Sequence, residues 1–423
     1  MKVLWITNIP MPEISAYIGL KRNVGGGWME SSAKRIVRTD DNIELAIACC
    51  EGNTFIKQKI GSIVYYVLPA KKSNLKYNKS LEYYWTRVRE DFIPDVVHIH
   101  GTEYAHGLSY IRKFPEDKIC VSLQGLISVI AQYYISGISL LDFYTTITFR
   151  TLIGKDNLWQ GKISFEKRGK FEKEILGNVK YVIGRTEWDM PHVRAINKDV
   201  KYFHCDETLR ESFYKFKWDF SQCKKHSIFL SQSSYPIKGL HQVIKALALV
   251  KEKYPDTQLL VAGTNILKNN SFKERLTISG YGRYISRLLK KYNLSSCVTF
   301  LGPLSEEEMC KEYLKCNLFI LPSSIENSPN SLGEAQILGT PDIGSYVGGV
   351  PEFMKGGDLL MYRFEEYVML ANKIIQLFSV YDSGKQLEEV SILSAQAEVR
   401  HSPERNRMTL VNIYKNIVLE NEI

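Results

Sequence analysis

The sequence predicts an α/β protein with two doubly wound, Rossmann-like domains, on three observations. Short apolar runs that end in Gly, Ser or Asn and lead into helix-period segments recur along its whole length, the pattern of βα units around a buried parallel sheet. Its 423 residues exceed what one hydrophobic core usually serves. Its 44% apolar and 24% charged residues are those of an ordinary soluble chain, which excludes disorder and a small disulfide scaffold.

Element by element, the apolar runs place first-half strands at residues 3–7, 43–49, 63–68, 96–99, 120–123 and 181–184. Second-half strands fall at 227–231, 258–262, 298–301, 318–321, 342–345 and 359–361. Helical spacing is clearest at 240–254, 284–292, 305–316 and 331–338, and Ser305 followed by Glu308 makes a capping box. Beyond Glu365 the chain reads as helical. Residues 204–225 are charged and aromatic without a period. The domains expected are therefore 1–205, a linker at 206–225, 226–400, and a final helix at 401–423 that returns to the first domain.

Eight cysteines without a Cys-x-x-Cys pair lie mostly in apolar runs and read as reduced thiols of a cytoplasmic protein. Residues 119–141 carry no charge over 23 positions, yet Gln124, Gly125, Gln132, Gly137 and four serines argue for a strand, a turn and a partly exposed helix rather than a membrane span. Net charge is +9, of which residues 1–205 supply 29 basic against 21 acidic side chains. That asymmetry suits an anionic partner or simply a solvated surface. No motif for nucleic acid accompanies it, and a nicotinamide-type Gly-x-Gly-x-x-Gly after a strand is missing.

The sharpest segment runs from Leu321 to Ala335, where an apolar strand ends in a polar loop and a helix starts near Ser331. Backbone amides at such a helix start favour an anion. Glu326 in the loop and Glu334 in the helix can accept hydrogen bonds from sugar hydroxyls and from a vicinal diol. Gly339-Thr340-Pro341 and Gly348-Gly349-Val350-Pro351-Glu352 follow. With its Glu-x7-Glu pair, Gly-x-Pro and Gly-Gly-x-Pro-Glu, the segment resembles the retaining GT-B glycosyltransferases of glycosyltransferase family 4, also called glycosyl transferases group 1.

The resemblance implies a GT-B fold, two Rossmann-like domains facing across a cleft, and it assigns roles. Lys238-Gly239 matches the family's diphosphate-binding Lys-Gly, whereas Ser233 stands where the family has an arginine. Arg185, at the end of the 181–184 strand, is a candidate to supply that charge or a structural ion-pair partner. Gly26 and Gly27 match the glycine loop beside the diphosphate, and such glycines allow close backbone approach. On the strand 96–100, His98 and His100 share a face. His100 resembles the family histidine that contacts the donor sugar, and His98 reads as core. The donor-binding set implied is Lys238, Glu326 and His100 as catalytic residues, with Gly26, Gly27, Arg185, Ser233, Asn327, Ser328, Asn330, Ser331, Leu332 and Glu334 around them. No Asp-x-Asp stands at a strand end, so neither a metal nor another cofactor is expected.

The function implied is transfer of a sugar, with retention, from a nucleoside diphosphate sugar to a saccharide or lipid-linked saccharide, in surface polysaccharide or lipopolysaccharide synthesis. A nucleotide-sugar-binding protein of weakened turnover and a non-hydrolysing nucleotide-sugar epimerase are the alternatives. The apolar and aromatic stretch 127–153 and the basic stretch 162–173 suit either a peripheral contact with anionic lipid on the inner face of the plasma membrane or an acceptor lid.

Overall fold

The computed structural model describes residues 1–20, 27–37, 42–70, 77–148, 150–151, 157–267 and 278–420. They form two compact units. The first comprises residues 1–129, 165–210 and 400–423, and the second residues 130–164 and 211–399.

The first unit is an eight-stranded sheet of β1 (Lys2–Thr7), β2 (Glu44–Cys49), β3 (Ile56–Ile60), β4 (Ile63–Val67), β5 (Val96–His100), β6 (Ile119–Ser122), β7 (Tyr181–Gly184) and β8 (Lys201–His204), in the order β3-β4-β2-β1-β5-β6-β7-β8. All pairings are parallel except β3 with β4, a hairpin whose tight turn places Gly61 at φ +60°. Central strands are apolar on both faces because helices cover both, so β5 is buried along its whole length. The helix Pro403–Leu419 packs on one face. Its Tyr414 hydroxyl accepts from Trp5 Nε1 at 2.9 Å and lies 2.6 Å from His98 Nδ1.

The second unit has six parallel strands: β9 (Lys224–Leu230), β10 (Gln258–Ala262), β11 (Val298–Gly302), β12 (Cys316–Leu321), β13 (Asp342–Ser345) and β14 (Met361–Tyr362). Their order is β11-β10-β9-β12-β13-β14. The chain runs outward from β9 to β11, then returns to β9's other side with β12. That reversal is a topological switch point, where strand-end loops diverge and leave a crevice. The capping box at Ser305 is present in both halves, at 3.2 Å and 2.8 Å.

Three sequence expectations need correction. Edge strands β3 and β8 lie outside the expected set, because Ile-Lys-Gln-Lys-Ile alternates and Lys-Tyr-Phe-His is short with exposed polar ends, so neither has the buried-run signature. The expected strand at 359–361 starts instead at Met361, after a single 3-10 turn at Asp358–Leu360. Residues 130–164, expected in the first domain, belong to the second unit. There His241 Nε2 donates to Ser136 O at 3.1 Å, Ser324 Oγ to Tyr133 O at 3.2 Å, and Arg283 to Ile147 O at 2.8 Å. The uncharged stretch 119–141 divides among β6, the helix Ile127–Ile130, a 3-10 turn and the start of the helix Leu140–Thr145. Among the described residues no helix is long and apolar enough to cross a membrane.

Candidate active site

The switch point of the second unit gathers most of the residues singled out. β9 ends at Leu230 and passes through Ser231–Tyr235 to a 3-10 turn, Pro236–Lys238. Gly239 then takes φ +69° and starts the helix Leu240–Lys253. A side chain at Gly239 would put its Cβ 1.7 Å from Pro322 O, so only glycine fits against the end of β12. Across from it, residues 322–329 connect β12 to the helix Asn330–Leu338.

Hydrogen bonds clamp these loops together. Ser324 N donates to Ile237 O at 2.7 Å, and Gly349 N donates to Glu326 O at 3.0 Å. Gly348, at φ +51°, lies so close that a Cβ would come within 1.9 Å of the Glu326 carbonyl oxygen. The Gly-Gly of the sequence motif therefore seats the Glu326 backbone.

The side chains converge as well. Lys238 Nζ donates to Glu326 Oε1 at 2.5 Å, and Ser323 Oγ donates to the same oxygen at 2.7 Å. Burial works against the Lys238 ammonium, but the Glu326 carboxylate, with Tyr235 behind it, outweighs burial and holds the pKa above its ordinary value. The lysine is a fixed cation at neutral pH. Asn327 and Glu334 are buried, while Ser328 and Ser331 are half-buried. Leu332 is fully buried and anchors the helix start. That start has no side-chain cap and no acid in its first turn, so its positive end keeps its field. In these two loops the buried Ser233 hydroxyl and, at the helix start, Asn330 Oδ1 have no hydrogen-bond partner among the described residues. Ser323 was given no role by sequence reasoning; a serine three residues before the glutamate is its only signal.

His100 and Arg185 lie in the first unit. Both line a cavity of about 40 Å³ with His98, Ser122, Glu207 and Arg407. The His98 and His100 rings lie 3.9 Å apart between centroids, tilted by 33°. Burial, reinforced by His98 and Arg185, pushes the His100 pKa well below its ordinary value, so its imidazole is neutral. His98 is buried beside Tyr414, as expected of a core residue, and also borders this cavity. The Arg185 guanidinium is ion-paired with Glu207, each 4% exposed, so its charge is already matched within the unit. Gly27 is the first residue of the helix Gly27–Val37, and Gly26 lies outside the described residues.

Residues 211–391, which include the whole switch-point site, match the family model for glycosyl transferases group 1. The chain carries a glycosyl transferases group 1 domain. The chain is 27% identical over 184 residues to a D-inositol 3-phosphate glycosyltransferase of Corynebacterium urealyticum, covering 43% of this chain and 41% of that protein. A GDP-mannose-dependent monoacylated alpha-(1-6)-phosphatidylinositol monomannoside mannosyltransferase of Corynebacterium glutamicum is 29% identical over 150 residues, 34% of this chain and 35% of that one. The matches thus span about two fifths or less of these relatives. Solved structures extend the likeness beyond the group 1 domain, at the level of fold. Sucrose-phosphate synthase of Thermosynechococcus elongatus superposes with a TM-score of 0.67 at 16% identity, over 99% of this chain and 100% of that one. Anabaena HepE, crystallised with UDP-glucose, gives 0.64 at 13% identity over 98% and 100%. The fold is GT-B.

Proposed function

We propose that the protein transfers a sugar from a nucleoside diphosphate sugar to a hydroxyl of a saccharide or lipid-linked saccharide, with retention at the anomeric carbon, in surface polysaccharide or lipopolysaccharide synthesis. The observation that carries this is the meeting of Lys238 and Glu326 across the β9/β12 switch point, beside the uncapped start of the helix Asn330–Leu338. A diphosphate needs a cation and amide donors, and a sugar needs carboxylate acceptors; the site offers both. HepE binds UDP-glucose and the corynebacterial mannosyltransferase uses GDP-mannose, so relatives in fold and in sequence take such donors.

In this reading Lys238 and the helix-start amides meet the diphosphate, and Glu334 accepts from the ribose diol. Ser233 and Asn330, each with a buried unpartnered oxygen, complete the polar lining. The sugar–phosphate C–O bond breaks, the acceptor oxygen bonds to the anomeric carbon from the same face, and its proton passes to the departing diphosphate. No protein nucleophile is used. Glu326 exchanges Lys238 for sugar hydroxyls, and neutral His100 serves as a hydrogen-bonding group rather than a cation.

Thermal shift across UDP-, GDP- and ADP-sugars tests the proposal, because a ligand bound only by the folded state raises its melting temperature. One nucleotide class should stabilise the protein, and no response to any of them rejects the reading. A second reading, a donor-binding protein of weakened turnover, is favoured by Ser233 in the arginine position. Slow release of free sugar from the stabilising donor separates the transferase from that binder, and conversion to an epimeric nucleotide sugar would mark the epimerase instead.

A further inference from the structure

We propose that the second unit carries a docking surface for an anionic lipid bilayer, formed by the exposed apolar side of the helix Leu140–Thr145 and the basic side of the helix Gly280–Lys291 beside it. The lipid-linked acceptor of the previous section gives this surface a purpose, and the inference rests on that reading for purpose only.

Ser139 caps the short helix, accepting from Asp142 N at 3.1 Å, yet none of its six residues is buried. Leu140 is 80% exposed, Leu141 81% and Tyr144 68%. Single exposed apolar residues are ordinary, but three within one turn make a patch that asks for a cover. The segment is not loose. Arg283 holds Ile147 O, Thr148 Oγ1 donates to Ile278 O at 3.3 Å, and Thr146 O packs so close to Gly280 that a Cβ there would come within 2.8 Å. The leucines are thus held outward on a fixed base.

The neighbouring helix supplies the charge. It buries Tyr281, Tyr284, Ile285, Leu288 and Leu289. Its opposite side exposes Arg283, Arg287, Lys290 and Lys291, and its twelve residues include no acid. On the apolar helix the one acid, Asp142, is engaged by Ser139 at 2.8 Å. Leucines that enter the acyl boundary, a tyrosine at headgroup level and cations beside them are what an anionic interface rewards. An aqueous protein partner of matching charge would have to cover two protruding leucines as well as four cations.

Sedimentation of the full chain with phosphatidylcholine vesicles, with and without about a third phosphatidylglycerol, tests this. The protein should pellet with the anionic vesicles at least about 10-fold better than with neutral ones, and salt should release it. Leu140→Ser/Leu141→Ser and Arg287→Glu/Lys291→Glu change exposed positions, and each should cut partitioning by about 10-fold at an unchanged melting temperature. Protein that stays in the supernatant, or variants that pellet like the parent, overturn the proposal. So does a dimer that the leucine variant dissolves without any vesicle binding, which would assign the patch to a second copy. Thermal shifts with the same UDP-, GDP- and ADP-sugars on the same preparations separate the two readings. Donor response without vesicle binding overturns docking alone, whereas vesicle binding without any nucleotide-sugar response supports docking and counts against the transfer reaction.

Discussion

Lys238 and Glu326 hold each other at 2.5 Å, so under the proposed reaction a substrate phosphate must take the lysine from the glutamate. A cation about 4 Å from a phosphate oxygen contributes at most about 4 kcal/mol at an effective dielectric near 20. Lys238→Ala should therefore lower kcat/KM for the donor by about 10²- to 10³-fold and abolish the donor's thermal shift. Parent-like kinetics would remove Lys238 from the site. Arg185 makes a different prediction. Its removal leaves Glu207 buried and uncompensated, so Arg185→Ala should cost about 3–5 kcal/mol in urea unfolding, most of it recovered by Arg185→Met/Glu207→Leu. If that double variant is stable and still binds donor as the parent does, Arg185 does not replace the arginine missing at Ser233. The switch-point residues could be singled out in the sequence because Lys-Gly, Glu-x7-Glu and Gly-Gly-x-Pro-Glu resemble a family pattern, and the fold brings Lys238 to Glu326 and Gly348 against the Glu326 backbone. The Arg185–Glu207 pair could not, since it joins residues 22 positions apart through a fold that no spacing rule encodes.

At the scale of elements, the clamp among the loops after β9, β12 and β13 depends on two glycines with positive φ, Gly239 and Gly348. Gly239→Ala would force a Cβ onto Pro322 O as well as strain the backbone, so stability should fall by about 2 kcal/mol or more in urea unfolding. A Gly239→Ala protein with the parent's stability would show that the loops part easily. The buried parallel strands were legible because each is a continuous apolar run closed by a turn residue. β3, Ile-Lys-Gln-Lys-Ile, was not, because an edge strand is half solvated and its lysines guard the edge. The place of residues 130–164 was also hidden, because it is decided by tertiary partners such as His241 and Arg283 rather than by local pattern.

Over the whole molecule, acid should destabilise the fold. Burial pushes His98 and His241 down to about 3 and His106 and His401 down to about 4, and His100 also lies well below its ordinary value. Burial pushes Glu103 and Asp342 up to about 7, and it raises Glu172. Between about pH 4.5 and 6.5 the histidines take protons only when unfolded, whereas Glu103 and Asp342 hold theirs only when folded. Five histidines against Glu103, Asp342 and a part of Glu172 leave the unfolded chain with the larger proton uptake, so stability falls as pH drops, by at most about 4 kcal/mol per pH unit. Calorimetry should find a lower melting temperature at pH 5 than at pH 7; an unchanged or higher one contradicts the neutral burial of these imidazoles.

Tyr414, bonded to Trp5 near the other end of the numbering, sets an order of assembly. The polypeptide passes between its two units after residues 129, 164, 210 and 399. On the ribosome, every segment of the second unit is synthesised before residues 400–423, so the unit begun first is finished last. Domains usually mature in order of synthesis. Here the nascent β1–β5 region must wait, with one face of its sheet covered only in part by the helices Pro12–Tyr17 and Gly27–Val37, until the helix that carries Tyr414 arrives, and a chaperone would find its longest-lived target there.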